Sequence, residues 1–233
     1  MLWLKAWLEV RWRFVFLVGS ILVVWLAPLW INATGVQPGV AASRQWMGLQ
    51  LGSVLLYIFT AIYLAGSGIN SQTMYAATTG FHGSMFFTLS LPVSRRRLLF
   101  VRTGLGALLT CILVVIMAGY ILFLRPEATS AMQALVYMTR VIVCTMAVYA
   151  LSVLLACVLD EMWQFMVACF FWIFVFMLQS KIEVVSRVSS LRGMSLNCYP
   201  ITAPMPWTPV VASLVLTGVL LWISVLVVQR KEY

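Results

Sequence analysis

Six long apolar runs, nearly free of charge, divide this chain and leave little else to build with. They cover residues 14–31, 47–69, 98–124, 141–159, 163–179 and 208–228. A helix crossing a hydrocarbon layer of ~30 Å at 1.5 Å per residue needs about 20 apolar residues. Each run meets that length, with 163–179 at the low end. Composition closes off the alternatives. Of the 233 residues, 63% are hydrophobic and 9% charged, and the mean hydropathy is +1.02. Soluble domains are about half apolar and a quarter charged. A soluble monomer of this make-up would lack the polar residues to cover its surface, and a disordered chain needs low hydrophobicity. The fold class that follows is an all-α integral membrane protein with six transmembrane helices. The spans consume about half the chain and the rest is short connections, so a single transmembrane domain fills 1–233. The first run is too long for a cleavable signal peptide, and no small-residue cleavage site follows it.

Charge sets the expected orientation. Lys and Arg number 15 against 6 Asp and Glu, a net charge of +9. Nucleic acid would need a solvated basic face, and no segment is long enough to supply one. Cytoplasmic loops of membrane proteins collect Lys and Arg instead. Six spans put both termini on one side, and Lys5, Arg11, Arg13, Arg95, Arg96, Arg97, Arg102, Arg230 and Lys231 fall there. The other side holds Arg44, Arg125, Arg140, Lys181, Arg187 and Arg192. This bias points both termini into the cytoplasm. Arg140 stands at the start of the fourth run, from where it is expected to snorkel to the outer face.

The segments between the runs carry finer expectations. In residues 1–13, Lys5, Glu9 and Arg13 share one helical face, and Trp3, Leu4, Trp7 and Leu8 share the other. That pattern predicts an interfacial amphipathic helix. Asp160 and Glu161 interrupt one long apolar run and predict a tight helical hairpin, because two acids in mid-bilayer would cost several kcal/mol. In 180–207, Val184, Val188 and Leu191 share a face, and Glu183 with Arg187 makes a favourable i,i+4 pair. An amphipathic helix ended by Gly193 is expected there. Cys111, Cys144, Cys157 and Cys169 lie in apolar runs and Cys198 in a loop, with no CxxC pair for a metal or disulfide framework.

The 70–97 loop holds the most distinctive stretch. Met85 to Leu91 is too apolar for a free loop and reads as a short surface helix stopped before Pro92. Ser94 then offers an N-cap to a helix that opens on three arginines. Gly83 to Arg102, GSMFFTLSLPVSRRRLLFVR, resembles the first cytoplasmic loop of ABC-2-type transporter permeases. Those proteins commonly carry a glycine, a short apolar helix, then Leu-Pro-Val-Ser-Arg, which here is Leu91-Pro92-Val93-Ser94-Arg95. Arg102 stands where the family often has a basic residue entering the third span. The family usually has acids two or four positions before the glycine, where this chain has Phe81 and Thr79, so a salt bridge from those positions is not implied.

The resemblance implies the permease subunit of an ATP-driven exporter in a bacterial inner membrane. Residues 70–97 would be the coupling loop, with Phe81, His82, Gly83, Met85, Phe86, Phe87, Leu89, Pro92 and Arg95 contacting an ABC ATPase subunit. The Asp160–Glu161 turn would face the same partner. ATP and Mg would be bound by that partner, and a second permease subunit, identical or a paralogue, would complete the complex. No cofactor is expected on this chain, which lacks GxxxxGK[ST]. It is not expected to be an enzyme, because a single histidine leaves no catalytic or metal-binding constellation. Gly48 and Gly52 form a GxxxG that would pack helices or subunits, and Gly104-Leu105-Gly106 reads as close helix packing. Two other readings stay open. One is a scaffold or sensor subunit that docks a partner without moving a substrate. The other is a proton-coupled carrier, which would need a mid-membrane carboxylate where this sequence has none.

Overall fold

The computed structural model describes residues 2–33, 52–65, 95–123, 130–159, 161–179, 181–196 and 198–230. Among these residues the protein is helical, with no strand. In chain order the elements are α1 (Leu2–Ala33), α2 (Gly52–Leu64), α3 (Arg95–Phe123), α4 (Ala131–Val158), α5 (Glu161–Gln179), α6 (Glu183–Val188), α7 (Ser190–Met194) and α8 (Trp207–Arg230). Four of them contain stretches long and apolar enough to cross a membrane: Leu99–Phe123, Ala131–Val158, Met162–Gln179 and Trp207–Arg230. They correspond to the third to sixth runs. The second run is represented by α2. The first lies within α1, a single 32-residue helix of ~48 Å with no break between the expected interfacial segment and the expected span.

α4 is the centre of the bundle. It packs most extensively on α8, then on α3, α7 and α5. Val141, Cys144, Val148 and Val153 on α4 are essentially inaccessible. The helix begins ten residues before the predicted run. Ser130 accepts from the backbone N–H of Gln133 at 3.3 Å, and the Gln133 side chain accepts from the Ser130 N–H at 2.9 Å. This reciprocal capping box satisfies two orphan donors and extends the helix outward.

α1 lies along α3 through Ala6 and Val10, with Leu17 and Ile21 continuing the same buried stripe. Trp3, Leu4, Trp7 and Leu8 stay exposed. Gly106 allows the close approach that the sequence suggests, whereas Gly104 has room for a methyl group. A Cβ on Gly104 would meet the Trp3 ring at 3.5 Å, and one on Gly106 would collide with the Tyr149 hydroxyl and stand 3.0 Å from the Leu64 carbonyl oxygen. α2, α3 and α4 therefore meet at Gly106.

The segment after α5 differs from its expectation. One amphipathic helix ended by Gly193 becomes two short ones, because Ser189 is extended at φ −62°, ψ 127°. The break separates the anticipated face: Val184 and Val188 are exposed, whereas Leu191 is buried. Gly193 lies inside α7, where its missing Cβ lets the helix settle against the Cys144 thiol of α4. The Glu183–Arg187 pair forms as expected, at 2.6 Å. Both partners are largely exposed, so it adds little stability.

Candidate functional site

The expected hairpin at the acidic pair is present. α4 ends at Val158, Leu159 is extended, and α5 opens at Glu161. Asp160 itself lies outside the described residues. Gln164, in the first turn of α5, ties this helix to α2. It is 4% exposed and donates from Nε2 to the Ala65 carbonyl oxygen at 3.1 Å. Ala65 closes the last turn of α2, five residues before the 70–97 loop in sequence. A buried amide bonded to a helix-end carbonyl satisfies an orphan acceptor that neither water nor lipid reaches.

Around this bond lies a cleft of about 260 Å³, walled by Arg13, Ile62, Tyr63, Met162, Phe165 and Met166 among others. The Arg13 guanidinium sits over the Tyr63 ring at 5.7 Å, and Phe16 packs on Tyr63 at the same distance. Phe59 and Phe165 join α2 to α5 at 5.6 Å. Tyr149 of α4 donates to the Thr103 carbonyl oxygen of α3 at 2.8 Å. α1, α2 and α5 thus share one aromatic junction, and the polar ties at Gln164 and Tyr149 hold its neighbours in register.

The sequence-derived partner residues stand as follows. Phe81, His82, Gly83, Met85, Phe86, Phe87, Leu89 and Pro92 lie outside the described residues, as does Gly48. Arg95 is the first residue of α3 and Glu161 the first of α5. Gly52 opens α2 with nothing within 4 Å of where a Cβ would stand, so it packs on no described helix. Gln164 had no sequence signal beyond being one of two amides, with Gln179, in the 163–179 run.

Arg140 departs from its expectation. The capping box lengthens α4, so Arg140 lies nine residues inside the helix, ~13 Å from its start. It is 1% exposed and does not reach the surface. Its Nη2 donates to the Tyr199 carbonyl oxygen at 2.8 Å, and the guanidinium lies 5.3 Å from the Tyr137 ring and 5.7 Å from the Tyr199 ring. Tyr137 in turn contacts the Tyr57 hydroxyl at 3.3 Å. Arg192 sits over the same Tyr199 ring at 5.8 Å. Two tyrosine faces and a carbonyl oxygen hold a charge that bare hydrocarbon would reject.

Compared with protein-family models, curated proteins and solved structures, the chain matches none. Among the described residues the structure is all-helical, and its long apolar helices are of the kind that suits a membrane protein. Four helices have the length and apolarity to span, and two of them, α5 and α8, have only 17% of their most apolar windows buried. Phe170, Phe174, Val215, Val219 and Trp222 are among the large apolar side chains left uncovered. Lipid is the solvent in which such faces are stable.

Proposed function

We propose that the chain is the membrane-spanning permease subunit of an ATP-driven exporter of the ABC-2 type, in a bacterial inner membrane with both termini in the cytoplasm. Its own chemistry is mechanical. A separate ATPase would bind ATP and Mg, and a second permease subunit would complete the transport path. The reading starts from the Gly83–Arg102 resemblance. The observation that carries it further is the Gln164–Ala65 bond. It joins the end of α2, five residues before the 70–97 loop, to α5 three residues after Glu161, so each partner lies near a segment expected to touch the ATPase.

A push on the loop then has two outlets into the bundle. One runs through Arg95 into α3, which the loop enters directly. The other runs through Ala65 and Gln164 into α5, and from there through the hairpin into α4. Because α4 touches α3, α5, α7 and α8, a shift of α4 reaches the whole bundle. The energetic requirement is differential: ATP must favour one arrangement of the complex over the other.

The test is hydrolysis and transport measured together. The purified chain is expected to hydrolyse no ATP, and the complex with its ATPase to hydrolyse it and move substrate in proteoliposomes. ATP depletion should stop transport and an uncoupler should leave it running. Robust hydrolysis by the chain alone would refute the reading. Transport that survives ATP depletion but stops with an uncoupler would favour a proton-coupled carrier, and a stable complex that moves nothing would favour a scaffold.

A further inference from the structure

α3, α4 and α8 do not close completely against one another. Between them runs a groove of about 790 Å³ that the permease reading does not use. On α3 its lining extends from Arg97 to Ala107, on α8 from Thr217 to Val225, and on α4 from Met146 to Val153. Ten residues of α3 measure ~15 Å, which is half of a ~30 Å hydrocarbon layer. The groove therefore runs parallel to the helices for the depth of one leaflet. α8 is antiparallel to α3 along it, so Val225 lies near the Arg97 end and Thr217 near the Ala107 end.

The walls are mostly apolar, and their hydroxyls are already bonded within the protein. Thr103 donates to the Leu99 carbonyl oxygen at 2.8 Å, Thr217 to that of Ser213 at 2.7 Å, and Ser224 to that of Leu220 at 2.8 Å. The Tyr149 hydroxyl is spent on Thr103. Away from the Arg97 end, what faces the space is mainly methyl, methylene and ring. Gly218 helps to create it, with nothing within 4 Å of where a Cβ would stand. Phe100 and Trp222, both largely exposed, also line it. The one charged residue in the lining is Arg97, at one end, directly after Arg95 and Arg96 in sequence.

An apolar slot of leaflet depth with a cationic end fits one kind of molecule. We infer that this groove binds an anionic phospholipid, with an acyl chain along α3 and α8 and the headgroup phosphate at the Arg97 end. Charge complementarity selects the headgroup, because a basic residue near a membrane surface attracts an anionic lipid by about 1 kcal/mol. The inference stands whether or not the chain works with an ATPase.

The full chain, purified in detergent and exchanged with equal amounts of phosphatidylglycerol and phosphatidylcholine, can be examined by native mass spectrometry. The unaltered protein should retain one phosphatidylglycerol in about fivefold preference to phosphatidylcholine. Gly218→Leu, whose Cβ would stand in open space within the groove, should lose the retained lipid of either kind. Arg97→Gln should keep a lipid and lose the preference. A thermal melt of each variant reports on its folding, and the exposed Arg97 site gives a readout even where Gly218→Leu misfolds. Equal retention of both lipids by the unaltered protein would overturn the inference. So would a Gly218→Leu protein that binds lipid normally, or one that loses a dimer while keeping its lipid, which would assign the groove to a second copy of this chain.

Discussion

Arg140 shows why a single charge in an apolar run is hard to place from sequence. A hydropathy window treats an arginine as the edge of a span, and the fourth run accordingly starts at residue 141. The signal that moves the edge is Ser130 with Gln133 three residues on, a capping box that binds the start of α4 farther out. The charge is thereby drawn inside, where Tyr137, Tyr199 and the Tyr199 carbonyl receive it. Removing a buried charged group leaves its partners unpaired, whereas an apolar side chain of similar volume avoids both the cavity and the desolvation. Arg140→Ala is expected to cost about 3 kcal/mol, and Arg140→Met clearly less, as read from thermal melts in detergent. Equal damage by the two would mean that the charge itself, beyond its volume, is required. The Gln164–Ala65 contact was not legible, because two amides at opposite ends of an apolar run have no periodicity to reveal a partner. Gly106 was legible, since a small residue inside a span has few uses other than close approach, while Gly104 beside it has room for a methyl group.

At the scale of elements, the helices sort by how much protein covers them. The most apolar window of α4 is 61% buried, against 17% for α5 and α8. Hydropathy alone ranks α3, α4 and α8 equally at 2.6, so it locates spans and is silent on which of them is central. The break at Ser189 had no local signal either. It is imposed by Leu191, Gly193 and Met194 fitting against α4, a tertiary contact that overrides the amphipathic pattern of 181–192. α8 supplies the sharpest test of its surroundings. Val215 is 61% exposed on the protein, and a soluble protein would tolerate a charge there. In lipid, an aspartate near the middle of a span costs about 3 kcal/mol of insertion free energy. Val215→Asp is expected to lower membrane insertion of α8 sharply in a glycosylation-mapping assay. Unchanged insertion would mean that this face does not meet hydrocarbon.

For the whole molecule, the excess of positive charge and the bundle point to one end. Nine of the fifteen cations fall on the side of the termini in the six-span reading, and four of them, Arg95, Arg96, Arg97 and Arg102, enter α3. One buried bond, from Gln164 near the start of α5 to the Ala65 carbonyl oxygen at the end of α2, ties these two helix ends together. The central claim is that this end docks an ATPase through the loop. The most direct measurement is affinity purification of the tagged chain from solubilised native membranes, followed by assay of nucleotide hydrolysis in the eluate. The account predicts a stoichiometric ATPase with the unaltered chain, and loss of that partner and its hydrolysis with Phe86→Glu/Phe87→Glu, while the chain itself still inserts and elutes normally. An unaltered chain that elutes without any ATPase, or a complex indifferent to the two substitutions, would contradict it.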